Sequence, residues 1–218
     1  MSNVLVAVAA HADDVELNAG GTVAKWADGG GEVHVVMVTN NASGAIIPGG
    51  DEAAEPHKAP PAEISAVRRR EQQAAADLVG AQVHFLDWAQ RHYWDGEREV
   101  NIGYEGEEHP DPLMIGRPQI LIDYAAPQRI DEMGDLLVSL DPALVLTQGV
   151  LDLDPEHHAV CSLVWAAFRR RATDLRDAVL RFWAPGSSCM WGVMEPHYDH
   201  VEDISDYFEM KMRLCACH

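Results

Sequence analysis

The strongest constraint on the fold of this chain is an alternation of short, almost wholly apolar runs with longer segments of helical period. Asn3 to Ala9 (NVLVAVA), Val33 to Thr39 (VHVVMVT) and Ala143 to Thr147 (ALVLT) place hydrophobic residues at consecutive positions rather than at every second one. A strand of that kind has to be covered on both faces, as in a parallel sheet held between helices. Gln82 to Leu86 reads as another strand. Helices are expected from Leu17 to Ala27, ended by Gly29-Gly30-Gly31, and from Ala62 to Val79, ended by Gly80. Three more are expected: Pro118 to about Leu140, Glu156 to Arg171, and a last one from about Ile204. Two or three strands between Ala178 and Val201 would form a small mixed-strand C-terminal extension. The rhythm predicts one doubly wound α/β domain over residues 1–218, a mostly parallel sheet with helices on both faces. A Gly/Pro/Asn-rich loop covers Asn40 to Pro61, and an aromatic, acidic insertion covers about 87–118.

Charge narrows the partners. The 218 residues carry 35 acidic against 16 basic side chains, a formal net charge of −19. Such a polyanion repels phosphate backbones and anionic lipid surfaces, which argues against nucleic-acid and membrane partners. No run approaches the ~18 consecutive apolar residues of a membrane span. The N-terminus lacks the basic start of a secretory signal. Cys161, Cys189, Cys215 and Cys217 make no disulfide framework, so a reduced, cytoplasmic protein is expected. The terminal Cys215–His218 reads as the end of a helix rather than a metal motif.

In open α/β sheets, ligands bind off the carboxyl ends of the strands. Three such ends carry suggestive residues: His11, Asp13, Asp14 and Glu16 after the first strand, Asp87 after the third, and Asp152, Asp154, Glu156, His157 and His158 after the fourth. A His and an Asp from the first loop plus a His from the last make a His₂Asp set. That set suits a divalent metal with open positions for water. Adjacent side chains diverge, so one of Asp13 and Asp14 can bind the ion while the other takes a proton from water. The competing reading of the acidic pair is helix capping before Leu17. Likewise only one of His157 and His158 can face a given point, since the other turns away by roughly 100°.

These segments resemble the PIG-L/LmbE-type deacetylases. AHADDVE is similar to that family's (A/P)-H-P-D-D-x-E loop, and the glycine-containing helix and valine-rich strand after it fit as well. RRREQQAAADLVGA is similar to the R-x-x-E helix, with Arg68 and Glu71 at the motif positions. FLDW follows the third strand, DPEHHAV resembles H-P-D-H-x-x-V, and DISDYFEMKMRLCACH resembles the closing D-I-x-x-x-x-x-x-K helix. The resemblance implies a Rossmann-like fold and a divalent metal, usually zinc, that serves to hydrolyse N-acyl groups, mostly N-acetyl on amino sugars or their conjugates. By motif position it implies His11, Asp14 and His157 as metal ligands and Asp13 as general base. Two departures stand out. Ala12 replaces a proline, and Asp154 replaces a histidine thought to stabilise the oxyanion or protonate the leaving amine. An ionised Asp154 would repel an oxyanion and could not take that role unless protonated; His158, His200 or another histidine could substitute, or activity could rest on the metal and Asp13 alone. The chain stops at His218, about where the family often continues, so on this resemblance a truncated member is one reading, with part of one site wall missing or supplied by a neighbouring subunit of a homo-oligomer.

Other residues carry weaker signals. Arg68 could bind a substrate hydroxyl or carboxylate, or lie in a solvated basic helix start. Asp87 could orient a ligand histidine. Trp88, Tyr93 and Trp94 could stack on a sugar or simply pack under a loop. His197 and His200 read as structural, and Gly20-Gly21 lacks the spacing of a dinucleotide site. Two rival functions compete with a zinc-dependent N-deacetylase. One is a non-catalytic metal- or sugar-binding relative, favoured by Asp154. The other is a receiver-like phosphoacceptor built on Asp13, Asp14, Asp87 and Thr147, which lacks a lysine after its fifth strand. The partner expected on the main reading is a small N-acetylated molecule, with its identity set by loops 40–60 and 87–118.

Overall fold

The structure, a computed structural model, describes residues 2–46, 57–102, 111–150, 152–184 and 198–218. Along the chain run β1 (Val4–Ala9), α1 (Asp14–Asp28), β2 (Glu32–Thr39), α2 (Pro61–Val79), β3 (Gln82–Trp88), β4 (His92–Trp94) and β5 (Glu99–Asn101). There follow α3 (Ile120–Asp123), α4 (Pro127–Leu140), β6 (Leu144–Thr147), α5 (Pro155–Arg170), β7 (Val179–Phe182) and α6 (Phe208–Cys215).

Five strands form a sheet in the order β3-β2-β1-β6-β7, and every neighbouring pair is parallel. The apolar runs divide by parity between two cores, as strands covered on both faces must. Val6, Val8, Val36, Val38 and Val145 pack against α4 and α5 through Met133, Leu137, Val160 and Leu163. Leu5, Ala7, Val35, Met37 and Leu146 face the other way, onto Val15, Ala19 and Val23 of α1 and Ala76 of α2. On that second side, Leu214 of α6 closes over Ala24 and Ala75. Gly21 lets the C-terminal segment come close, since a Cβ there would lie 2.4 Å from Ile204 Cδ1.

Three details depart from the expected boundaries. The helix expected from Pro118 is broken into α3 and α4, because Pro127 has no N–H to donate and disfavours helical geometry in Ala126. The first helix begins at Asp14, three residues early, where the Leu17 N–H meets the Asp13 carbonyl at 2.9 Å. Of the strands expected between Ala178 and Val201, β7 is present and parallel to β6, while residues 185–197 lie outside the described ones. The antiparallel pairing observed is in the insertion instead, where β4 and β5 pair through Tyr93 and Val100. Tyr93 is buried with Ala42, Ala89, Ile102 and Met114. The insertion is tied to the body by Ala89, whose N–H meets the Pro118 carbonyl at 2.7 Å and whose carbonyl accepts from Ile120 at 3.1 Å.

The strand order positions the candidate site. The chain leaves β1 toward β2 on one side and comes back to β6 on the other, so the loops after β1 and β6 diverge over a crevice at their carboxyl ends.

Candidate metal centre

At that crevice the loop after β1 and the first turn of α5 meet. His11, Asp14 and His157 each offer a ligand atom, and these atoms all lie within 4.8 Å of one another. Among the described residues this is the one place where three such side chains converge. His11 Nδ1 lies 3.1 Å from His157 Nε2, and Asp14 Oδ1 lies 3.2 Å from the same His157 nitrogen. The other oxygen of Asp14 accepts from the His11 backbone N–H at 2.8 Å and from Gln148 Nε2 at 2.7 Å. These two donors fix the carboxylate while leaving Oδ1 turned toward the His157 imidazole.

Each histidine is held from behind by a carboxylate. Glu156 Oε2 lies 2.6 Å from His11 Nε2, and Asp152 Oδ2 lies 2.7 Å from His157 Nδ1. A carboxylate on the far nitrogen sets the tautomer and raises the basicity of the near one, the usual support for a metal-binding imidazole. Glu156 is itself fixed, accepting from the Arg91 backbone N–H at 2.5 Å and from Gln90 Nε2 at 3.3 Å.

The electrostatics follow from this packing of two imidazoles among carboxylates. Burial opposes charge on His157, but its hydrogen bonds to Asp14 and Asp152 outweigh that and hold its pKa up at about 11. His11 is also raised, with burial overcome by the Glu156 hydrogen bond and charge. Burial would push the carboxylates up, yet the neighbouring imidazoles draw Asp14 down and bring Glu156 to about 2. The cluster therefore attracts positive charge, protons or a cation.

Asp13 has a different position. It stands at the N-cap of α1 but makes no capping hydrogen bond, so the capping reading of the acidic pair does not describe its side chain. Its φ of 100° lies in a region that costs a non-glycine residue of order 1–3 kcal/mol. Ala12 N–H donating to Asn41 Oδ1 at 2.7 Å helps to hold that turn. The Asp13 carboxylate accepts from Arg68 Nη2 at 2.9 Å, and Arg68 also donates to the Ala12 carbonyl. Burial pushes the Asp13 pKa up, with Arg68 working against it.

The remaining candidates are distributed less closely. Asp154 is the N-cap of α5: Oδ1 accepts from the Glu156 N–H at 2.8 Å and Oδ2 lies 3.4 Å from Arg91 Nη2. His158 turns onto the Asp152 carbonyl, on a different line from His157. Asp87 pairs with Arg69 and Arg117, and the carboxylates found on the histidines are Asp152 and Glu156. Thr147 gives its hydroxyl to the Val8 carbonyl at 3.0 Å, inside the sheet. Trp88 and Tyr93 are buried, whereas Trp94 is partly exposed beneath Lys58 Nζ at 4.7 Å. His200 sits at an exposed spot between Arg181 and Glu202, and His197 lies outside the described residues. His218 faces Glu16 at 3.4 Å rather than joining the cysteines in a cluster. In the sequence Glu156 stands in the cluster after the fourth strand without an assigned role, and Gln148 and Arg91 carry no signal as site residues. Glu156 carried a signal, since it adjoins His157 at the start of a helix that leaves the sheet edge.

A parallel sheet with two histidines and a carboxylate converging at its switch point, and a second carboxylate beside them, defines a class: α/β proteins whose site is suited to a divalent metal and hydrolytic chemistry. Within that class the chain belongs to the PIG-L (GlcNAc-PI de-N-acetylase) family, whose model matches residues 6–168. A comparison with curated proteins found no significant match. Solved structures share the fold at low identity. The N,N'-diacetylchitobiose deacetylase from Pyrococcus horikoshii is 20% identical, with a TM-score of 0.64 over 99% of this chain and 69% of that one. A deacetylase of teicoplanin biosynthesis is 19% identical, with a TM-score of 0.65 over 98% of this chain and 83% of that one. GalB, the 4-carboxy-2-hydroxymuconate hydratase from Pseudomonas putida, is 20% identical, with a TM-score of 0.61 over 100% of this chain and 78% of that one. A hydratase and deacetylases thus share this fold, and the fold alone does not select the reaction.

Proposed function

We propose that this protein is a zinc-dependent N-deacetylase that hydrolyses the acetamide of a small N-acetylated amino sugar or amino-sugar conjugate. The observation that carries the reading is the convergence of His11, Asp14 and His157 with Asp13 adjacent, strained and not capping its helix. The donor set fits a divalent ion: two imidazole nitrogens face each other at 3.1 Å beside a carboxylate oxygen, an arrangement that needs a cation or a proton between them. His11, Asp14 and His157 would hold it. Zinc in such a site supplies Lewis acidity to an acyl oxygen and lowers the pKa of water.

The protein's own groups do the rest. Glu156 and Asp152 orient the two imidazoles. Asp13, whose pKa burial pushes up, would take a proton from the attacking water and give it to the departing amine. Arg68 fixes the direction of Asp13 from α2. The acidic surface of a chain with net charge −19 suits a neutral substrate that leaves as a cationic amine.

The test is metal-stripped protein assayed with fluorescent amine detection across a panel of N-acetyl amino sugars, before and after adding zinc. Activity absent without metal and restored by zinc is expected; full turnover in strictly metal-free protein overturns the reading. Asp154 favours one alternative, a non-catalytic metal- or sugar-binding relative, and tight zinc binding without turnover on the panel would select it.

A further inference from the structure

An ionised carboxylate at position 154 is the feature of this site least suited to stabilising an oxyanion, and its surroundings show what offsets it. Both Asp154 oxygens are engaged, Oδ1 by the Glu156 backbone N–H and Oδ2 by the guanidinium of Arg91. Arg91 is anchored at two points. Its backbone N–H meets Glu156 Oε1 at 2.5 Å, and the other oxygen of that carboxylate meets His11 Nε2 at 2.6 Å. At its tip, Nη2 lies 3.4 Å from the residue three positions before His157. The side chain therefore lies across the first turn of α5, between the support of one imidazole and the cap of the helix that carries the other. A guanidinium has five N–H donors. Here Nε is buried without a hydrogen-bond partner among the described residues, while the side chain as a whole is 35% exposed. Asp154 takes only one of the donors, so the exposed part of the guanidinium is where a ligand oxygen could be met.

We propose that Arg91, held by Asp154, is a catalytic residue that donates to the acyl oxygen of the substrate, in place of the histidine absent at position 154. The proposal rests on the deacetylase reading above. As the water oxygen bonds to the acyl carbon, the carbonyl π pair moves onto the acyl oxygen and the water proton passes to Asp13. The C–N bond then breaks, the pair reforms the carbonyl, and the amine takes the proton from Asp13. Arg91 keeps its own protons throughout and stabilises the charge on oxygen.

Arg91→Met, Arg91→Lys and the double variant Arg91→Met/Asp154→His test this on zinc-loaded protein. Loss of one oxyanion donor lowers kcat by about 10²–10³-fold. Arg91→Met is expected to show that loss with KM changed little, Arg91→Lys to lie between, and the double variant to regain about tenfold by supplying an imidazolium. A second measurement titrates methylphosphonate, a tetrahedral anion, into the same proteins. Arg91→Met should weaken it about tenfold or more while zinc stoichiometry and affinity stay unchanged. Unchanged kcat in Arg91→Met overturns the proposal, as does activity lost only together with zinc. If the wild-type protein turns over no substrate in the panel, the deacetylase reading fails, and methylphosphonate alone decides whether Arg91 contacts an anion. Binding undiminished in Arg91→Met, or absent in the wild type, overturns that too.

Discussion

His157 lies between Asp14 and Asp152, and this makes its proton the competitor of any metal. With a pKa of about 11, it is protonated in the metal-free protein at pH 8, whereas a ligating imidazole must be neutral. Zinc binding at pH 8 should therefore release at least one proton per ion and tighten as the pH rises. Calorimetry in buffers of different ionisation enthalpy checks this, and uptake without proton release would contradict it. The same group affects stability in a fixed direction. Its folded pKa lies above the ordinary value of about 6.5, so its contribution to the metal-free protein is complete below that pH and is lost as the pH rises through about 11. Two substitutions separate chemistry from metal retention. Asp13→Asn should bind zinc normally and lose about 10²–10⁴-fold in kcat if Asp13 is the proposed proton acceptor. Glu156→Gln keeps the shape beside His11 but removes the charge on its far nitrogen, and should weaken zinc binding about 10–100-fold in a competition titration. His11, the pair Asp13 and Asp14, and the pair His157 and His158 stand out in the sequence by type and order, while the choice of Asp14 and His157 as candidate ligands came from the family resemblance, and the structure brings those two together with His11. Arg91 does not stand out. It lies in an insertion with no metal-ligand spacing, and only the packing of that insertion brings its backbone to Glu156.

At the scale of elements, the local signals were read well where the deciding interactions were local. Gly29-Gly30-Gly31 and Gly80 follow the helices they were expected to end, and the doubly apolar strands are covered on both faces. The break between α3 and α4 was also written in the sequence, in Pro127, but a continuous helical period obscured it. The early start of α1 was harder to see, because Asp14 opens the helix with its carboxylate held by the His11 N–H and by Gln148 from a distant segment. The packing of α1 gives a direct test. In Gly21→Ala the new Cβ would lie 2.4 Å from Ile204 Cδ1 and 2.8 Å from its Cβ, so the C-terminal segment must shift. Overpacking of this kind costs about 1–3 kcal/mol. A lowered denaturation midpoint by urea is expected, and an unchanged or raised one would show that the segment moves without cost.

Over the whole molecule, the net charge of −19 acts on stability as well as on partners. Like charges on a compact body repel, and salt shortens the reach of that repulsion from about 30 Å at 0.01 M to about 8 Å at 0.15 M. The melting temperature of metal-free protein should rise between those sodium chloride concentrations; a fall would mean that the surface ion pairs outweigh the excess charge. Among the described residues no helix is long and apolar enough to cross a membrane. By itself the sequence determined the layered α/β architecture and the residue types of the candidate metal centre, because burial periodicity and ligand chemistry are written position by position. Tertiary structure alone decided which strand edges adjoin, which carboxylate stands behind each histidine, and that Arg91 meets Asp154. Those depend on the placement of β6 beside β1 and on the fold of residues 87–102 over α5, contacts between distant segments that no local period encodes.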